Sequence, residues 1–286
     1  MRRIETLKEM TETARGWLTG GTVGFVTIKG ALHEGHQPLI QEAQKACEIV
    51  VAGLLGCCWP FATDQERASY QRRLEQELQL LGRHPNLVVF IPRFEELYPA
   101  TFKTHVMPVG LPMEQLNESE RDYVRSLMTL LIKLFHLVRP DVVYFGQKDA
   151  LQIAILRQVI RDLNIDVHLR MMPTVREASG LAVSSRNSGL AEAERQAAAL
   201  LYAALLAGKA HILQGERFSQ SIEQVMADLL CSNPLIALDY VGVYAPDTFL
   251  PVAQAVPGVI LSVAAHIGNV RLIDAITWQE NGQWRM

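Results

Sequence analysis

The sequence predicts an α/β protein built on a parallel sheet covered by helices on both faces, followed by a smaller α+β domain. Three observations carry this. Short apolar runs alternate with longer stretches of helical spacing up to about residue 187. Those short runs are apolar throughout rather than at every second position, as strands buried on both faces are. From about residue 188 the alternation stops, and two helical stretches precede several strand-like runs. The expected division is therefore one domain over 1–187 and a second over 188–286.

The elements follow in order. Residues 23–27 read as the first buried strand, and 38–47 as a helix with Leu39, Ile40, Ala43, Ala46 and Cys47 on one stripe. A second strand is expected over 49–55, then a helix over 66–81 with Leu74, Leu78 and Leu81 inward, and a third strand over 87–91. After a polar, proline-marked segment, 118–138 is the longest helix, with Leu127, Leu130, Leu131, Leu134 and Phe135 inward. Residues 141–145 make a fourth strand, 150–163 a helix and 167–171 a fifth strand. In the second part, helices over 192–214 and 219–231 precede strands over 238–244, 259–263 and 270–273. With few clustered polar motifs, that part reads as a lid covering a site on the first domain.

Composition narrows the function. Of 286 residues, 49% are hydrophobic and 20% charged, ordinary for a globular chain. A formal net charge of -3 without a basic run gives no footprint for nucleic acid. Cys47, Cys57, Cys58 and Cys231 lack CxxC spacing and are expected reduced and mostly buried. No stretch reaches the roughly 18 apolar residues of a spanning helix, the longest, 49–62, being broken by glycines and Pro60. No apolar region follows Met1, so neither a signal peptide nor a membrane partner is expected, and the location is expected to be cytoplasmic.

The chemistry concentrates at strand ends, where ligands sit in parallel sheets. Residues 30–36 (GALHEGH) follow the first strand and open a helix. Unpaired N–H groups and the positive end of the helix dipole suit a phosphate there, and Gly30 and Gly35 allow close approach to the backbone. His33 and His36, three residues apart, share a face. A surface helix start with capping histidines is the plain alternative, and a zinc pair is disfavoured because HExxH and HxxEH spacings are absent. The HEGH run matches the HxGH pattern of Rossmann-like nucleotidyltransferases. Residues 184–187 (SSRN) offer hydroxyls and a guanidinium for phosphates, or else a polar turn with a capping serine. After the fourth strand, Lys148 suits an α-phosphate in its transition state, while Asp149 is either a site residue or the N-cap of the next helix. Gln152 faces the same way one turn on.

With these motifs the sequence resembles the pantothenate synthetases (pantoate–β-alanine ligases) over nearly its whole length. The resemblance rests on 30–36, on 145–149 (FGQKD where FGEKD is usual), on 173–187 (PTVREASGLAVSSRN), on 97–99 and on 271–274. It implies ATP-dependent formation of an acyl adenylate, then attack by an amine with release of AMP. Position by position, it implies that His33, His36, Lys148, Ser184, Ser185 and Arg186 handle ATP, with Gly30, Gly35, Gly146, Asp149, Val175 and Val183 lining the nucleotide. Gln152 matches a glutamine that binds the acid, and Lys29, Cys57, Pro60 and Tyr123 fall on the acid side. Mg2+ is implied because ATP carries it, although no ligand cage is evident. A small acid, a small amine or amino acid and a homodimer are the implied partners.

The departures gather on the acid side. Thr27-Ile28-Lys29 replaces proline-threonine-methionine, and Cys57-Cys58 with Pro60 falls where asparagine-proline and a pantoate-holding glutamine are usual. Residues 70–72 (YQR) and 120–125 (ERDYVR) are also rewritten, Ser179 stands for aspartate and Val183 for methionine. Losing a hydrogen-bonding glutamine, with Trp59 nearby, makes that side less polar, so the expected acid is other than pantoate or is pantoate bound poorly. A nucleotidyltransferase with a stable adenylylated product and a non-catalytic nucleotide-binding paralogue are the rival readings.

Overall fold

The computed structural model describes residues 1–17, 20–56, 58, 64–110, 113 and 116–286, with the backbone alone for 64–68. The chain forms two compact units: Met1–Pro108, Asn117–Phe145 and Leu163–Met171 make the first, and Val109–Leu116, Gly146–Asp162 and Met172–Met286 the second.

In the first unit the expected apolar runs pair as strands: β2 (Val23–Ile28), β3 (Ile49–Leu54), β4 (Leu87–Phe90), β5 (Val142–Gly146) and β6 (His168–Met172). A further short strand at the edge, β1 (Arg2–Ile4), escaped the sequence reading because only Ile4 of its three residues is buried. The order is β1-β4-β3-β2-β5-β6, parallel in each register from β1 through to β5. The chain runs outward from β2 to β3 and β4, then returns to place β5 on the other side of β2, so the switch point of the sheet lies between β2 and β5. Every residue of β2 is buried, which is why its sequence is apolar without alternation.

Helices α1 (Leu7–Gly16), α2 (Gln37–Ala46), α3 (Asp64–Leu81), α4 (Phe94–Leu97) and α5 (Glu118–Val138) complete this unit. The start of α5 is a capping box: the Asn117 side chain accepts the Glu120 N–H at 3.0 Å, and Glu120 accepts the Asn117 N–H at 3.0 Å. The rewritten run 120–125 therefore begins with a residue that closes a helix end.

The second unit holds α6 (Ala150–Asp162), α7 (Glu192–Ala198), α8 (Leu200–Leu213) and α9 (Ser219–Cys231). It also holds an antiparallel sheet in the order β10-β9-β8-β7, from β7 (Ile236–Tyr244), β8 (Ile260–Ile267), β9 (Val270–Trp278) and β10 (Trp284–Arg285). Its composition differs from a single cut after residue 187, because α6 packs Ala150 and Ala154 on Tyr244, Phe249, Ile260 and Ala275. By length and mean hydropathy 192–213 would pass as a membrane-crossing helix, although Glu192, Glu194, Arg195 and Lys209 interrupt its apolar run, as the sequence reading has it. Its hydropathy has a packing origin, since Ala197, Leu201, Ala204, Leu205 and Ile212 belong to this unit's core. Cys47 and Cys58 are buried as expected, whereas Cys231, at the end of α9, is exposed.

Candidate active site

In the first unit, β2 leads into a single 3-10 turn, Glu34–His36, before α2. His33 caps this turn: its Nδ1 accepts the Gly35 N–H at 3.1 Å, and its own N–H donates to Nδ1 of His36 at 3.2 Å. The rings lie 3.9 Å apart, centroid to centroid. Because both Nδ1 atoms accept, each ring in its neutral form carries its proton on Nε2, the tautomer that can donate to a phosphate oxygen. The sequence reading of two histidines on one face thus matches the geometry of this turn.

The loop is fastened from behind by a residue the sequence reading passed over. Glu77, 4% exposed on α3, accepts the Leu32 N–H at 2.9 Å and pairs with Nε of Arg73 at 3.3 Å. Burial raises its pKa, against the opposing pull of the Leu32 N–H and the Arg73 charge. The one signal for it was a second acidic residue on the apolar-facing side of a helix.

In the second unit, β5 runs on into a 3-10 turn, Gln147–Asp149, that precedes α6. A Cβ added at Gly146 would meet nothing within 4 Å, so the backbone is open there. Nζ of Lys148 donates to the Val183 carbonyl at 2.8 Å, tying this turn to the loop 172–183. Gln147 is fully buried, and its Nε2 donates to the backbone oxygens of Ala275 and Arg285. An amide can donate to two carbonyls, whereas the glutamate usual in this motif, once ionised, could not.

Residues 175–183 form a narrow hairpin: Val183 N–H donates to Val175 O at 2.9 Å, Glu177 N–H to Leu181 O at 2.9 Å, and Arg176 bridges to Ala182. Arg176 grips Asp274 with both terminal nitrogens, at 2.5 and 3.1 Å, and its guanidinium lies 3.6 Å from the centre of the Tyr202 ring. Asp274 is buried within β9, and that burial raises its pKa although Arg176 pulls it down. A lone carboxylate in an apolar strand is the sequence signal for such a pair. The hairpin turns at Gly180, whose φ is +90°, and a Cβ there would lie 2.7 Å from Cδ1 of Tyr202.

Beyond the hairpin, Ser184 caps a 3-10 turn, Ser185–Gly189, its Oγ accepting the Arg186 N–H at 3.3 Å. Arg186 donates to the Arg271 carbonyl at 2.9 Å. Buried Asn187 donates to Glu177 at 3.1 Å and to the Ala182 carbonyl at 3.0 Å, and Arg195 pairs with Glu177 at 2.7 Å. Of the two alternatives weighed in the sequence, the capping serine is present in this turn.

The acid-side residues are placed less fully. Lys29 follows β2, Tyr123 lies exposed on α5 and Gln152 lies on α6. Cys57 and Pro60 lie outside the described residues, as does Trp59. Among the described residues, no group of three or more His, Cys, Asp or Glu side chains could hold a metal ion.

The family model described as Pantoate-beta-alanine ligase matches residues 2–277. The chain is 38% identical to a pantothenate synthetase from Thermosipho africanus, over 96% of this chain and 99% of the relative. It is also 38% identical to one from Heliobacterium modesticaldum, over 96% and 98%. Among solved structures it resembles the pantothenate synthetase from Thermus thermophilus, with a TM-score of 0.85, 35% identity and 98% of this chain covering 100% of that one. It also resembles the pantoate-beta-alanine ligase from Francisella tularensis, described as complexed with beta-gamma ATP and beta-alanine, with a TM-score of 0.70, 25% identity and 96% and 97% coverage. With a parallel α/β sheet, a C-terminal antiparallel sheet and near-complete coverage by these relatives, the chain belongs to the pantoate–β-alanine ligase family of ATP-dependent, amide-forming ligases.

Proposed function

We propose that the protein joins a small carboxylic acid to β-alanine through an acyl adenylate. The observation that carries this is the pair of ordered donor sets, His33 with His36 and Lys148 with the 184–186 turn, in a chain whose whole length matches ATP-dependent ligases. A carboxylate is a poor electrophile. Its oxygen attacks the α-phosphorus of ATP, the bond to the bridging oxygen breaks, and pyrophosphate leaves. The amine then attacks the acyl carbon, loses a proton, and AMP departs with the bonding pair.

In this reading His33 and His36 donate from Nε2 to the triphosphate, and Lys148 neutralises charge at the α-phosphate. Ser184, Ser185 and Arg186 receive the pyrophosphate. Gly30, Gly35, Gly146, Asp149, Val175 and Val183 line the nucleotide, while Gln152, Lys29, Tyr123, Cys57 and Pro60 contribute to the acid side. Magnesium arrives on the phosphates, as suits an ion that keeps most of its shell as phosphate and water oxygens. A cytoplasmic homodimer belongs to the same reading.

The lost glutamine at 57–60 and the added cation Lys29 favour an acid other than pantoate, or pantoate bound poorly. Pyrophosphate release across a panel of carboxylic acids tests both levels. Release with some acid, and AMP formation dependent on β-alanine, is expected. Pantoate turnover at rates ordinary for such ligases would remove the altered acid and keep the ligase; AMP release that ignores every amine would remove the ligase reading itself.

A further inference from the structure

The last residues of the second unit meet both segments assigned to ATP. Nε2 of Gln147 reaches the backbone oxygen of Arg285 at 2.8 Å and that of Ala275 at 3.3 Å. Ala275 is in β9, and Arg285 is in β10, which pairs with β9 through Trp284 to Trp278 and Arg285 to Thr277. The backbone oxygen of Met286 accepts the Thr174 N–H at 3.1 Å. One tripeptide, 284–286, thus holds the residue before Lys148 and the residue before Val175.

The tripeptide is itself secured. Trp284 stacks on Trp278, with centroids 5.8 Å apart and planes 3° from parallel. The Lys209 ammonium lies 5.6 Å from the Trp284 ring centre and 3.5 Å from Sδ of Met286. Trp284 and Met286 pack against the core of this unit. The family model matches residues 2–277, and β10 follows that stretch.

We propose that Gln147 and residues 284–286 form a brace that positions Lys148 and the 175–183 hairpin for ATP; the proposal rests on the ATP-ligase reading above. The physical case is one of donors and acceptors. Two carbonyl oxygens, a buried one on β9 and a part-buried one on β10, share one amide donor, and Lys148 follows that amide directly while its ammonium ends on Val183 of the hairpin. Loosening β10 removes an acceptor from Gln147 and another from Thr174 at once, which frees both ends of the Lys148–Val183 link. Gln147 and the tripeptide are positioning residues, since they act through Lys148 and the hairpin.

The test uses full-length Gln147→Glu, Trp284→Ala and the double variant. A carboxylate facing two carbonyl oxygens leaves both without a donor, so KM for ATP should rise about tenfold in Gln147→Glu, with KM for β-alanine within about twofold of wild type. The double variant should fall short of the product of the two single effects, because both break one linkage. A change in kcat alone, or fully multiplicative effects, would overturn the brace as a positioning device. Hydrogen exchange at Thr174 provides a readout independent of turnover: faster exchange in either variant is expected, and unchanged exchange in both overturns the brace. If the wild-type chain consumes no ATP, the functional reading fails and the ATP half of the proposal with it, while exchange still decides whether the brace exists.

Discussion

His33 and His36 show how much a single turn specifies. Their Nδ1 atoms are engaged by the backbone, so what each ring offers an anion follows from the fold of four residues. Replacing His36 with alanine removes the acceptor of the His33 N–H as well as the phosphate donor proposed above. Adenylate formation should slow by about a hundredfold, in line with losing one transition-state donor, as measured by the initial rate of pyrophosphate release. Glu77 lends itself to a different measurement. Its folded-state pKa lies above the ordinary carboxylate value, so between those two values the native state binds more protons than the unfolded chain, and stability falls as pH rises through that interval. Glutamine has no such titration. The stability of Glu77→Gln relative to wild type should therefore improve between about pH 5 and about pH 8 in urea unfolding, and a flat difference would contradict the burial argument.

Among the elements, the 175–183 hairpin stacks several constraints on one glycine. At φ +90° an alanine at 180 is strained, and its Cβ would press the Tyr202 ring against which Arg176 lies. Gly180→Ala should cost about 2 kcal/mol by thermal or chemical unfolding, and should weaken ATP use beyond what the stability loss explains. Legibility in the sequence follows burial at this scale. β2, β3 and β4 were readable because both faces are covered and their residues are uniformly apolar. β1 was not, since two of its three residues are exposed arginines and only pairing with β4 makes it a strand. Order within the sheet is also silent in a linear pattern, because registers join residues far apart in the chain. In the site, the motif residues were legible as residue types at fixed spacings. Their supports were not: Glu77, Asp274 and Gln147 act through partners 45, 98 and 138 residues away.

For the molecule as a whole, the consequence lies in α6 and its packing. Because Ala150 and Ala154 rest on Tyr244, Phe249, Ile260 and Ala275, a fragment of residues 1–187 lacks the surface that orders its own segment 146–162. Hydrogen exchange on that fragment should show 146–162 and 173–187 exchanging at rates near those of an unfolded chain, while 23–54 stays protected. Protection of α6 equal to that in the full chain would show that it stands without the antiparallel sheet.

The interleaving of the two units also sets an order of events on the ribosome. The first unit takes in 163–171, after the chain has already passed through α6, so its sheet can close only once a segment belonging to the other unit has emerged. That segment then waits, with Ala150 and Ala154 uncovered, while β7, β8 and β9 are still being made. Lys148, assigned above to the α-phosphate, sits just before this waiting helix. A nascent chain stalled before β9 would therefore hold the histidine turn yet lack the Ala275 carbonyl that receives Gln147, the residue before Lys148.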